Sequence, residues 1–240
     1  MVRLLVSVRD MDEALVAADA GADFIDLKEP AEGALGAVAP RRVARIVSVL
    51  RSRYPGVRIS ATVGDLPASE AEEILARVRR VASCGVDYVK VGLWRAPAEA
   101  AAANALLDAL ATAGSGIVPV LVVDGGLDQA LVDRALAGAA FPALMVDTAD
   151  KRRGSLLQRI PLPTLADFVT AVRARGMMAG LAGSLRAEDA PALLALAPDF
   201  AGFRGAVTRG GRAGALDPRL VRQLRRRFAS ALRAPLPAGA

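Results

Sequence analysis

Three lysines stand apart in a chain that otherwise carries its positive charge on arginine. Of 31 basic residues only Lys28, Lys90 and Lys151 are lysines, leaving 28 arginines. A guanidinium stays protonated, whereas an amine's pKa can fall far enough to expose a nucleophilic nitrogen, so amine chemistry is open to these three positions alone. Asp26 precedes Lys28 by two residues, Tyr88 precedes Lys90 by two, and Asp147 precedes Lys151 by four. Residues i and i+2 of a strand share a face, so Asp26 and Lys28 are aimed together out of the apolar run Phe24, Ile25, Leu27. Burying such a pair costs stability unless it is compensated or used, and a structural ion pair at a strand end is the plain alternative.

Amines brought together disfavour one another's protonation, while nearby carboxylates hold the remaining cations in place. One lysine can then be a free amine near neutral pH and attack an aldehyde or ketone. The resulting iminium acidifies the adjacent C–H for enamine, aldol and elimination steps. Asp26 and Asp147 would orient the amines or shuttle protons.

Composition narrows the field further. The chain has no histidine, and Cys84 is its single cysteine, so disulfide frameworks, zinc sites of the His or Cys/His kind and Ser-His-Asp catalysis are excluded. Carboxylates, amines, hydroxyls and backbone dipoles are left for the chemistry, and neither a metal nor an organic cofactor is expected. The net charge of +6 suits an anionic partner, but aromatics at 4% argue against base-stacking platforms for nucleic acid. No apolar run approaches the roughly 20 residues of a membrane span. The first residues, Met1 to Val6, read as a strand without a signal-peptide cleavage region, and a cytoplasmic enzyme is the expectation.

These side chains must be carried by something. With 53% hydrophobic residues, the 240-residue chain can bury one sizeable core. Strand and helix patterns alternate with a period near 30 residues. Strands are expected near 2–7, 23–28, 57–63, 86–92, 117–123, 143–147, 177–182 and 199–204. Helices are expected near 10–20, 40–53, 68–84, 97–113, 127–138, 161–175, 187–196 and 217–233. Ser69, Asp128 and Thr164 stand near helix starts, and Gly21, Gly85, Gly138 and Gly176 follow helices. Eight such units predict a single-domain (β/α)8 TIM barrel over 1–233, with 234–240 a flexible C-terminal tail. An open doubly wound sheet is the structural alternative, but no G-x-G-x-x-G follows the first strand.

In such a barrel the active site lies at the C-terminal ends of the strands, where all three lysines fall. Strands seven and eight end in Leu181-Ala182-Gly183-Ser184 and Gly202-Phe203-Arg204-Gly205-Ala206, small-residue loops whose backbone N–H groups could cradle a phosphate. Gly183, Ser184, Arg204 and Gly205 are therefore candidate phosphate and substrate ligands, Arg204 either by a bidentate contact or as part of a barrel-end ion pair. Asp65 either lines the pocket or closes a turn, Glu29 to Ala37 is a flexible candidate lid, and the arginines of 219–227 read as a solvated helix face.

Taken in order, Asp26-Leu27-Lys28-Glu29-Pro30 with Gly33-Ala34-Leu35-Gly36-Ala37, Ser60-Ala61-Thr62-Val63-Gly64-Asp65-Leu66-Pro67, Asp87-Tyr88-Val89-Lys90-Val91-Gly92, Asp147-Thr148-Ala149, Leu181-Ala182-Gly183-Ser184-Leu185 and Arg204-Gly205-Ala206 cover nearly the whole chain. This set resembles the (5-formylfuran-3-yl)methyl phosphate synthase family, its first and third blocks most specifically. The resemblance implies a TIM-barrel carbon–oxygen lyase that condenses two molecules of glyceraldehyde 3-phosphate into 4-(hydroxymethyl)-2-furancarboxaldehyde phosphate, releasing one phosphate and water. That product is a furan precursor of methanofuran or of its analogue in bacteria that oxidise one-carbon compounds. By motif the resemblance makes Lys28 the Schiff-base lysine and Lys90 the proton acceptor, with Asp26, Asp147 and Lys151 in the same pocket. The chain departs from the pattern at Arg152-Arg153 and at Val207-Thr208, where related sequences tend to carry a cysteine.

Two other readings are open on sequence. A class I aldolase acting on another sugar phosphate would keep barrel and imine and change the substrate. A non-catalytic anion- or nucleic-acid-binding protein would show salt-sensitive affinity that survives replacement of all three lysines by arginine. The favoured partner is a phosphorylated triose, with no nucleic acid and no membrane; a homo-oligomer is compatible with this reading.

Overall fold

A computed structural model describes residues 1–94, 99–138 and 140–230. Eight strands, β1 (Arg3–Val8), β2 (Phe24–Leu27), β3 (Arg58–Thr62), β4 (Tyr88–Trp94), β5 (Ile117–Val122), β6 (Ala143–Asp147), β7 (Met178–Leu181) and β8 (Phe200–Phe203), pair in sequence order. Every pairing is parallel, and β8 returns to β1, closing the (β/α)8 barrel that the alternating pattern predicts. Parallel strands covered on both faces read as continuous apolar runs, which is why β2 and β5 are buried along their whole length.

Helices α1 (Met11–Asp19), α2 (Pro40–Arg53), α3 (Ala71–Ala82), α4 (Ala100–Thr112), α5 (Gln129–Ala137), α6 (Leu156–Arg159), α7 (Leu162–Ala174), α8 (Ala190–Leu196) and α9 (Pro218–Ser230) surround it. In α2 the buried positions are Val43, Ile46, Val47 and Leu50, the spacing that puts one stripe against the sheet. Asp128 caps α5 by accepting from the Leu131 N–H, as expected, whereas Thr164 lies inside α7 and Ser69 inside a 3-10 turn ahead of α3. The short helix α6 falls in a stretch where the sequence pattern showed only a connection. Residues 234–240, expected to be a tail, lie outside the described residues. No helix among the described residues is long and apolar enough to cross a membrane.

Inside the barrel, below the mouth, Leu5, Phe24, Val118, Ala143, Met145 and Phe200 form an apolar layer, with the Phe24 and Phe200 rings 5.3 Å apart. This layer is the floor on which polar groups stand. Barrel register sets Ser7 beside Asp26 and Asp26 beside Ser60, and places Thr62 beside Lys90.

The segment expected to be a flexible lid is instead fastened down. Both carboxylate oxygens of Asp65 accept backbone N–H groups, from Ala34 at 2.7 Å and Leu35 at 2.8 Å, and Thr62 donates to the Gly36 carbonyl at 2.7 Å. Leu35 is fully buried. A Cβ at Gly92 would stand 2.6 Å from Leu35 and 2.5 Å from Trp94, so the bare glycine makes the room that Leu35 occupies. Asp65 is therefore a turn anchor and no pocket residue.

Candidate active site

A cavity of about 490 Å³ opens at the C-terminal ends of the strands, and Lys28, Lys90, Lys151 and Asp147 all line it. Asp26 lies just beneath, completely buried, and holds the group together from below. Its Oδ2 accepts from Ser7 at 3.0 Å and its Oδ1 from Ser60 at 2.7 Å, and the Lys90 Nζ stands 2.9 Å from the same Oδ1. That ammonium lies outside hydrogen-bonding directions, so the Asp26–Lys90 contact is chiefly an ion pair. Burial pushes the Asp26 carboxyl up, but Lys90, Lys28 and the Ser60 hydrogen bond outweigh it and hold the group below the usual carboxylate range.

Asp147 ends β6 and forms the second negative pole. Its Oδ1 accepts from the Thr148 N–H and from Lys151 Nζ, each at 2.7 Å, and Lys151 also donates to the Thr148 carbonyl. Its Oδ2 lies 3.6 Å from Lys28 Nζ. Burial raises the Asp147 carboxyl, and Lys151 and Lys28 overcome this to keep it firmly ionised. For Lys28 burial dominates in the other direction: desolvation of the ammonium takes its pKa down to about 8, against the opposing pull of Asp147 and Asp26. Lys90 and Lys151 push the same way as burial but less strongly. Crowding of amines, the cause expected from sequence, is thus the smaller effect in the folded chain, and removal from water is the larger.

The loop that presents Lys151 has its own support. Asp124, just beyond β5, accepts from the Ala149 N–H at 2.5 Å, the Asp150 N–H at 2.8 Å and Arg159 at 2.9 Å. Sequence reasoning missed Asp124 and Arg159 because their partners are about 25 and 35 residues away; only the presence of an acid just past a strand end hinted at them.

The expected phosphate loops flank the same cavity. Gly183 has φ +117°, and a Cβ there would stand 2.8 Å from the Thr148 hydroxyl, so no larger residue fits. Ser184 follows at φ +47°, an uncommon conformation for a residue with a side chain. Among the described residues no hydrogen bond engages the backbone N–H of Ser184, Leu185 or Gly205. Arg204 behaves differently from its neighbours. Its guanidinium clasps Glu13 at 2.5 and 3.0 Å and donates to the carbonyls of Ser7, Arg212 and Gly214. All of its donors are thus committed to protein. Of the two roles the sequence left open, the geometry matches the ion pair.

The Arg212 and Gly214 carbonyls belong to a hairpin that folds back over the mouth. Thr208 and Leu216 form an antiparallel bridge, and Arg212 sits near the tip, half-buried and lining the cavity. It donates to the Gly33 carbonyl at 2.6 Å. Burial lowers the Arg212 guanidinium, while Asp147 and Asp65 favour its charge. Nothing local marks Arg212 as a residue that reaches the site, since an arginine in a Gly-rich loop is ordinary in so arginine-rich a chain.

The chain is similar to known proteins both in its barrel and in its sequence. Among solved structures the chain is similar to phosphoribosyl anthranilate isomerase from Thermus thermophilus, with TM-score 0.64 and 18% identity over 96% of this chain and all of that one. It is likewise similar to 3-hexulose-6-phosphate synthase from Salmonella typhimurium, with TM-score 0.59 and 18% identity over 95% and 100% of the two chains. At this identity the likeness shows the barrel alone. Sequence relatives go further. A Methylorubrum extorquens protein provisionally named (5-formylfuran-3-yl)methyl phosphate synthase is 41% identical over 92% of this chain and 89% of its own length. The (5-formylfuran-3-yl)methyl phosphate synthase of Methanopyrus kandleri is 38% identical over 92% of this chain and 97% of that protein. The model of the 4-HFC-P synthase family matches residues 4–225, a span that holds Asp26, Lys28, Lys90, Asp147 and Lys151, and the chain belongs to that family of enzymes.

Proposed function

We propose that this enzyme condenses two molecules of glyceraldehyde 3-phosphate into 4-(hydroxymethyl)-2-furancarboxaldehyde phosphate, the furan unit from which methanofuran or its bacterial analogue is built. One phosphate and two waters leave, which balances the atoms of the two trioses. The observation that carries this reading is Lys28, a buried amine at the wall of the cavity whose pKa has fallen to about 8, within reach of Asp147.

At neutral pH an appreciable minority of Lys28 is uncharged, and its lone pair adds to the carbonyl of one triose. Loss of water gives an iminium, a fixed positive charge that Asp147 and Asp26 stabilise where they already stabilise an ammonium. The iminium acidifies the neighbouring C–H, and Lys90 in its uncharged form takes that proton and leaves an enamine, the Asp26 carboxylate stabilising the ammonium so formed. The enamine carbon attacks the aldehyde of the second triose, Lys151 and Asp147 serving the proton transfers of the later eliminations. The unengaged N–H groups of Ser184, Leu185 and Gly205 suit a phosphate oxygen, with Gly183 shaping that corner. No step calls for a metal or an organic cofactor.

The test is trapping with borohydride in the presence of glyceraldehyde 3-phosphate, followed by peptide mass analysis. The expected result is a triose-derived mass on Lys28. An adduct on Lys90 or Lys151 would overturn the assignment of roles. Appearance of a furan aldehyde chromophore with glyceraldehyde 3-phosphate as sole substrate separates this reaction from an aldolase that merely shares the imine.

A further inference from the structure

Two phosphate monoesters must occupy one cavity in the reaction proposed above, and the corner formed by Ser184, Leu185 and Gly205 accommodates one. We propose that Arg212 is the anchor for the phosphate of the second triose, on the β2 side of the mouth. The inference rests on the two-triose reading and adds a second anion site to it.

The cations around the cavity leave few choices, since Arg186 belongs to the Ser184–Leu185 corner, exposed and 4.0 Å from Glu188. Lys28 carries the imine, Lys90 faces Asp26, and Lys151 is bound to Asp147 and the Thr148 carbonyl. Arg204 has every donor occupied by Glu13 and three carbonyls. Arg212 lines the cavity and donates one side-chain hydrogen bond, to the neutral Gly33 carbonyl. A guanidinium has five N–H donors, so a fork remains for a dianion.

Its backbone is also held as an anchor should be. Arg204 donates to the Arg212 carbonyl at 2.9 Å, Thr208 donates to Gly211 at 2.7 Å, and Arg9 donates to Ala213 at 2.9 Å. On the far side, Asp65 fixes the residues just after Gly33. Arg212 therefore spans from the end of β8 past β1 to the β2 loop, whereas Ser184 sits beside the Lys151 loop. The two anion positions are thus built from different loops of the mouth. A phosphate oxygen offers the guanidinium a full opposite charge and a bidentate geometry, where the Gly33 carbonyl offers one neutral acceptor.

The experiment compares wild type with Arg212→Gln and Arg212→Lys in two assays, borohydride trapping at Lys28 and furan formation, each against glyceraldehyde 3-phosphate concentration. Inorganic phosphate is titrated calorimetrically in parallel. For Arg212→Gln the half-saturating concentration for trapping should stay within about twofold while that for furan formation rises about tenfold or more, with partial recovery in Arg212→Lys. Phosphate stoichiometry should fall from two sites to one. If trapping and furan formation shift together, if neither shifts, or if stoichiometry is unchanged, the anchor is elsewhere. Should Arg212→Gln unfold at lower temperature, Arg212→Lys with a native melting point decides, since a point charge on a shorter reach must still weaken the second site. Absence of any triose adduct in the wild type would defeat the imine reading, while the phosphate titration of the variants would still judge Arg212.

Discussion

Asp26 and Asp147 stand on the same charge cluster and are held in opposite ways. Asp26 is gripped by side chains of three strands, Ser7 from β1, Ser60 from β3 and Lys90 from β4, whose register leaves no freedom in their placement. Asp147 is gripped mainly by its own near neighbours in the chain, the Thr148 N–H and Lys151, and reaches Lys28 only at 3.6 Å. A fixed pole thus faces an adjustable one. The difference suits the proposed roles: a proton acceptor gains from a rigid mount, whereas an amine that forms and releases a covalent bond gains from a loose tether.

The sharpest way to break this contrast is Lys28→Arg, which keeps the charge and removes the nucleophile. Furan formation should fall at least ~10³-fold, and the borohydride adduct should vanish from the mass spectrum. Next in size is Lys90→Gln on the rigid pole. It should cut turnover by about 10²- to 10⁴-fold while trapping at Lys28 persists, and, by leaving the buried Asp26 with two hydroxyls and the more distant charge of Lys28, should cost about 3 kcal/mol in denaturant unfolding. The loose pole is tested by pH. Trapping requires neutral Lys28, so its initial rate should climb about tenfold per pH unit below about 8 and level off above it. Asp147→Asn removes the carboxylate that favours the ammonium and should move that limb to lower pH; a limb moving to higher pH would contradict the geometry. Smallest are Ser60→Ala, expected to cost about 1–3 kcal/mol through a lost charge-assisted hydrogen bond, and Asp124→Asn, expected to raise the exchange rate of the Ala149 and Asp150 amides.

Much of this was legible in the sequence, and for identifiable reasons. The lysines were visible because the background is arginine, and their shared face came from strand periodicity and barrel topology. What stayed hidden was pairing across distance. The Gly- and Ala-rich segment 31–37 looks mobile by composition, yet Asp65, about thirty residues on, pins it. Local pattern left Arg204 open as a phosphate ligand or an ion-pair member, because its partner Glu13 lies on α1, 191 positions away. The basic stripe on α9 is likewise partly structural, since Arg225 donates to the Gly21 carbonyl and pairs with Asp23, and Arg227 donates to Ala187. Local pattern foretells which residue types reach the barrel mouth, and long-range contacts decide which of them have a hand free.

Leu35, seated over Gly92 beside Trp94, has a consequence for traffic. With that wedge in place, the described part of the cavity wall is drawn from β1, β6, β7 and β8 and from Lys28 and Lys90, so the chamber lies off the barrel axis. On the two-triose reading, two copies of the same small molecule take unlike positions in this lopsided chamber. Position against an asymmetric wall, and no chemical difference between them, then settles which becomes the nucleophile and which the electrophile.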